Sequence, residues 1–140
     1  MWRALIAVLL LTGCVADIPP GPEDAQAKRF ETLPDKAVVY IVRDHVGMDL
    51  DHMLRLGDSE IISTYTGRYY RWEVAPGTHR IAGMMESTAS LTLHLEAGKI
   101  YYVRHGVIGS DASESVQWTT LERVSERVGR AIIARGVLQQ

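Results

Sequence analysis

The chain is predicted to be all-β, a mostly antiparallel β-sandwich of about seven to eight strands with a short C-terminal helix. Three observations carry this expectation. Between Ala37 and Leu121, apolar residues recur at every second position in short runs rich in Val, Ile, Leu, Tyr and Trp. Turn-forming residues interrupt those runs at Gly57-Asp58-Ser59, Thr66-Gly67, Ala75-Pro76-Gly77-Thr78 and Glu96-Ala97-Gly98-Lys99. The intervals between runs are too short for helical crossovers, so the strands must pair antiparallel for the most part.

The N-terminal segment differs from the rest. Arg3 precedes an apolar run, Ala4 to Leu11, too short to span a bilayer, which needs about 20 apolar residues. It has the form of the apolar core of a secretory leader. Leu11-Thr12-Gly13-Cys14 closes it, and Cys14 is the only cysteine in the chain. This tetrapeptide resembles the lipobox of bacterial lipoprotein precursors. The resemblance implies that residues 1–13 are removed as a signal peptide and that Cys14 carries a diacylglycerol thioether and an N-acyl chain such as palmitate. The plain alternative is an ordinary leader, or a buried N-terminal helix, with an incidental thiol. Each acyl CH₂ buried in a membrane contributes about 0.8 kcal/mol, so a triacylated cysteine would be a permanent anchor. Val15 follows where Asp would favour inner-membrane retention. The implied address is therefore the inner leaflet of the outer membrane, facing the periplasm. A single cysteine forms no disulfide within the chain.

Residues 14–36 read as the lipidated cysteine and a Pro-rich tether, with the domain at 37–140. Residues 15–36 hold four of the five prolines, and Pro19-Pro20-Gly21-Pro22 suits neither a helix interior nor a central strand. Ala25 to Phe30 suggests a short helical turn, with Phe30, the sole Phe, packed onto the domain. Val38-Val39-Tyr40-Ile41-Val42-Arg43 is apolar on both faces, as a central strand requires. Asp49 to Leu56 and Ile61 to Tyr65 flank the Gly57-Asp58-Ser59 turn as a hairpin. In Tyr69 to Val74, the side chains of Tyr70, Trp72 and Val74 share a face. Pro76 and Gly77 occupy the middle of an expected type II turn, from which His79 to Met84 departs. Leu91, Leu93 and Leu95 alternate with Ser90, Thr92 and His94, the pattern of a half-buried strand. Ile100 to Val107 is the next strand, Gly106 to Ser115 a polar loop, and Val116 to Leu121 the last strand of the series. Ser125 is the expected N-cap of a helix carrying Val128, Ala131, Ile132 and Arg135, with Gly136 as its stop.

The segments Lys36 to Arg43, Val74-Ala75-Pro76-Gly77-Thr78-His79, Leu91 to Leu95, Glu96-Ala97-Gly98-Lys99 and Ile100-Tyr101-Tyr102-Val103 occur in an order and spacing similar to the DUF2846 family of bacterial lipoproteins. That similarity covers roughly residues 28–125 and implies a small β-sandwich. It carries over no activity and no catalytic residues. The family's Asp-Gly turn in the first hairpin is replaced here by Leu56-Gly57-Asp58-Ser59.

Composition narrows the function further. The net charge is −2, with no basic run or Arg–aromatic cluster suited to nucleic acid, so no nucleic-acid partner is expected. His45 and His52, with Asp49 and Asp51, form the one constellation that could serve a metal-dependent or hydrolytic envelope enzyme. Their spacing lacks any tight metal-binding motif, and Asp49 and Asp51 also suit the solvent face of a strand. His79 shares parity with core residues, while His94 and His105 are expected on opposite faces. Ser110, Ser113 and Ser115 lie with Asp111 and Glu114, but no nucleophile elbow is present. No cofactor and no catalytic or metal-binding residue is expected. Tyr65, Tyr69, Tyr70 and Trp72, with Arg68 and Arg71 between them, form the densest aromatic stretch. Tyr70, Trp72 and Val74 are expected to fill the core. Tyr65, Tyr69 and Arg71 are the candidate surface for another envelope protein or a cell-wall glycan. The expected function is that of a non-enzymatic binding or structural module of the cell envelope, held to the membrane through Cys14.

Overall fold

The computed structural model describes residues 20–45, 51–84, 89–109 and 117–139. Cys14 and Val15 lie outside them, as do Met48, Asp49 and residues 110–116. The elements run α1 (Pro22–Ala27), β1 (Ala37–Val42), β2 (His52–Leu56), β3 (Glu60–Thr64), β4 (Arg68–Val74), β5 (Gly77–Gly83), β6 (Ser90–Leu95), β7 (Ile100–Gly109), β8 (Gln117–Val124), α2 (Glu126–Arg135) and β9 (Val137–Leu138). Two sheets form, one in the order β8-β7-β1-β4-β9 and one in the order β3-β2-β5-β6. The all-β sandwich is therefore the fold, with the two-residue β9 added to the expected strands. Pairing is antiparallel except for β1 with β7 and β4 with β9.

β1 is central because its apolar residues serve two cores at once. Val39 and Ile41 face inward with Trp72, Tyr101 and Val103, against Leu54, Leu56, Ile62, Ile81, Leu93 and Leu95 of the second sheet. Val38, Tyr40 and Val42 face outward with Tyr69 and Tyr102, beneath Ala27 of α1 and Ile132 and Ile133 of α2. Burying each such aliphatic side chain contributes about 1.5–3 kcal/mol. The sandwich thus has a helical layer over one sheet. Helix α2 begins at Ser125, whose side chain accepts from the Val128 N–H, and it lies against β7 at Gly129. A Cβ at Gly129 would stand 2.3 Å from Tyr102 Cδ1.

Three expectations need correction. Residues 20–36 are part of the domain rather than tether. Pro22 takes the first helical position, where its missing N–H costs nothing, and Asp24 and Ala27 are buried. The segment from Gly106 does not begin a loop, because β7 pairs with β8 as far as Gly109. Gly77 sits at φ +139°, away from the value of about +80° that a type II turn requires, and pairs directly with Leu95 as the first residue of β5.

Candidate functional site

Strand β3 is an edge of the four-stranded sheet. The Met84 N–H donates to the Met53 carbonyl and the Gly57 N–H to the Arg80 carbonyl. Met53, Arg55 and Gly57 therefore turn their backbone groups to β5, and Leu54 and Leu56 turn theirs to β3. Their register partners Ile62 and Glu60 point back at β2. Ile61 and Ser63 then direct their N–H and C=O groups away from the sheet, as alternation in an antiparallel ladder demands. Among the described residues, one of these groups is engaged: the Gln139 side-chain amide donates to the Ser63 carbonyl. A groove of about 860 Å³ runs along this edge, lined in part by Glu60, Tyr65, Arg68, Tyr70 and Gln139. Tyr70 donates a 2.6 Å hydrogen bond to Glu60 Oε1. Burial and that carboxylate together push its pKa up to about 12, so the phenol stays a donor. Ile61 is 51% exposed and Tyr65 42%.

The three residues expected to share one surface do not do so. Tyr65 is exposed and lines the β3 groove. Tyr69 is only 2% exposed, which corrects its assignment to the surface. Strict alternation would send it to solvent, but α1 covers that face, and its hydroxyl donates to Asp24 Oδ1 at 2.8 Å. Burial, reinforced by that carboxylate, raises its pKa. Arg71 is partly buried, pairs with Glu73, and lines a separate groove with Glu23, Gln26 and Glu31. Gln139 lines both grooves. Nothing in the sequence marks it for that place, since only the parallel pairing of β9 with β4 brings it there. Trp72 fills the inter-sheet core, with Tyr70 and Val74 packed against it.

A polar cluster is buried between the sheets at one end. Thr64 Oγ1 donates to the His52 carbonyl at 3.0 Å and lies 3.0 Å from His105 Nδ1. A hydroxyl has one proton, so it accepts from His105, whose Nε2 is then a bare acceptor. His52 Nε2 lies 2.8 Å from Thr119 Oγ1, and the two imidazole centroids are 5.2 Å apart. His52 Nδ1 and His105 Nε2 are buried without a hydrogen-bond partner. Arg43 is buried alongside and donates to the Thr64 carbonyl at 2.7 Å. Burial, then His52, then Arg43 push the His105 pKa down to about 3. Burial and Arg43 lower that of His52. Both rings are therefore neutral at pH 7, and the guanidinium beside them opposes a second cation.

The pairing of His45 with His52 is not formed. His45 is exposed, its Nε2 3.2 Å from the Arg135 carbonyl, while His52 points into the sandwich. The parity of His52 with Leu54 and Leu56 was the available signal. Asp49, expected beside them, lies outside the described residues. Among the described residues no group of three or more His, Cys, Asp or Glu could hold a metal ion. His79 sits at the rim, edge-on to Trp72 with Nε2 2.8 Å from the Ala75 carbonyl. His94 is exposed and bonded to Thr78 on the four-stranded sheet, while His105 is buried on β7 of the other sheet. In comparisons with known proteins, no family model matches the chain and no curated protein matches its sequence.

Proposed function

We propose that the protein is a lipid-anchored module of the bacterial cell envelope, outer-membrane-attached and periplasm-facing, that binds an extended segment of another envelope protein along β3. The DUF2846-like order of motifs and the Leu11-Thr12-Gly13-Cys14 lipobox support the address. The carrying observation for the binding mode is the outward-directed backbone of Ile61 and Ser63. The Ser63 carbonyl already receives an amide N–H from Gln139, the group that an incoming strand would supply. Strand addition draws its affinity from such main-chain bonds and its selectivity from side-chain pockets. Tyr65 and the Tyr70–Glu60 pair provide those along the groove.

The test is Ile61→Pro in intact cells, with a photo-crosslinking residue at Tyr65. The Ile61 N–H faces away from β2, so an edge proline leaves the ladder in place while removing a donor and blocking an added strand. Retained folding with loss of the crosslinked polypeptide supports the reading. Unchanged capture, or capture of a glycan instead, contradicts it. Cys14→Ser separately tests the address, because processing and envelope fractionation must both change in the variant.

A further inference from the structure

We propose that the end of the sandwich carrying Ile108 and Trp118 rests on the lipid surface to which Cys14 is tied, with those two side chains in the bilayer interface. The inference rests on the lipid-anchor reading and adds an orientation and a second contact to it. Ile108 and Trp118 face each other across the β7–β8 ladder, and each is 61% exposed. Ile108 shares parity with Tyr102 and Arg104, which places the pair on the outer face of the five-stranded sheet. Arg104 and Glu122, ion-paired, lie nearer the centre of the same ladder.

The chain enters the domain at this same end. Asp24 binds the Tyr69 hydroxyl and the Leu138 N–H. Tyr69 is level with Val42, and Val42 with Arg104. From there the chain descends: the Ala27 carbonyl accepts from Tyr40, and the Leu33 carbonyl accepts from the Gly98 N–H at the opposite end. Ile108 lies about 13 Å beyond Arg104 along β7, in the direction from which the chain arrives. Only residues 15–19 separate Cys14 from Pro20, the first described residue, and that span reaches at most about 20 Å. A tether of this length keeps the entry end of the domain within about 20 Å of the membrane. It draws down the end that bears an uncovered Trp and Ile. Tryptophan suits this position because its ring is apolar while its N–H can stay hydrated.

Every described element lies between Pro22 and Leu138, so the chain from Cys14 onward keeps all of them and is the form to test. Its only thiol is coupled to a maleimide-headgroup lipid in phosphatidylcholine vesicles whose acyl chains carry bromine. This chain holds two tryptophans, buried Trp72 and exposed Trp118. The expected result is a blue shift and partial quenching of emission that disappear in Trp118→Phe. They must also be absent from a Cys14→Ser, Ala97→Cys variant tethered by the opposite end. Equal emission with and without bromine, or the same quenching from either tether, overturns the proposal. Because the coupling is chemical, a failure here leaves the anchor reading to the fractionation of Cys14→Ser in cells.

Discussion

Tyr69 donates to the same carboxylate oxygen of Asp24 that accepts the Leu138 N–H, at 2.8 and 2.7 Å. The second oxygen holds Lys28 at 2.8 Å, and Lys28 Nζ also reaches the Gly136 carbonyl. One buried acid thus joins α1, β4 and β9. Burial alone would raise the pKa of Asp24. The bonds from Lys28, Leu138 and Tyr69 outweigh it and hold the carboxyl below its ordinary range.

Asp24→Ala should therefore lower the unfolding free energy by about 3 kcal/mol, since it strands a buried phenol and a backbone N–H. Tyr69→Phe, which removes one donor only, should cost about 1 kcal/mol. Urea unfolding of both variants and the double variant gives the coupling. Additive losses would contradict a shared bond.

The interior histidines make stability depend on pH. The folded pKa of His105 is about 3, and that of His52 is also lowered. The unfolded chain titrates near 6.5, so below that pH it binds protons that the native state refuses. The contribution is complete above pH 6.5 and is lost progressively as pH falls towards 3. His105 alone should remove about 2 kcal/mol between pH 7 and pH 5, at about 1.4 kcal/mol per unit. Denaturant midpoints at the two pH values measure this, and His105→Asn should flatten the difference.

Gly129→Ala tests the packing of α2. Helix propensity favours Ala by about 1 kcal/mol. The new methyl would meet the Tyr102 ring, which is buried and stacked on Tyr40 with centroids 5.6 Å apart. Overpacking costs about 1–3 kcal/mol, so the net effect on the melting temperature should be a decrease. An increase would show that α2 does not sit on β7.

The strands were legible where alternation meets a single boundary. Leu91, Leu93 and Leu95 announced one buried face, and the six apolar residues of β1 announced two. Tyr69 was not legible, because alternation marks a second face without saying what covers it. That cover is α1, which lies in the stretch that Pro19, Pro20, Pro22 and Pro34 mark as tether. His52 and His105 lie in different sheets, and their proximity depends on how those sheets stack. Ile61 and Ser63 became binding candidates only once the pairing register showed which way their backbone points.

The chemistry at Cys14 is read most directly by mass spectrometry of the N-terminal peptide of protein expressed from the full chain in a bacterial host. The expected product is a chain beginning at Cys14 and carrying a diacylglycerol and an N-acyl group. An intact leader, a cut at another residue, or an unmodified thiol would contradict the lipid-anchor reading.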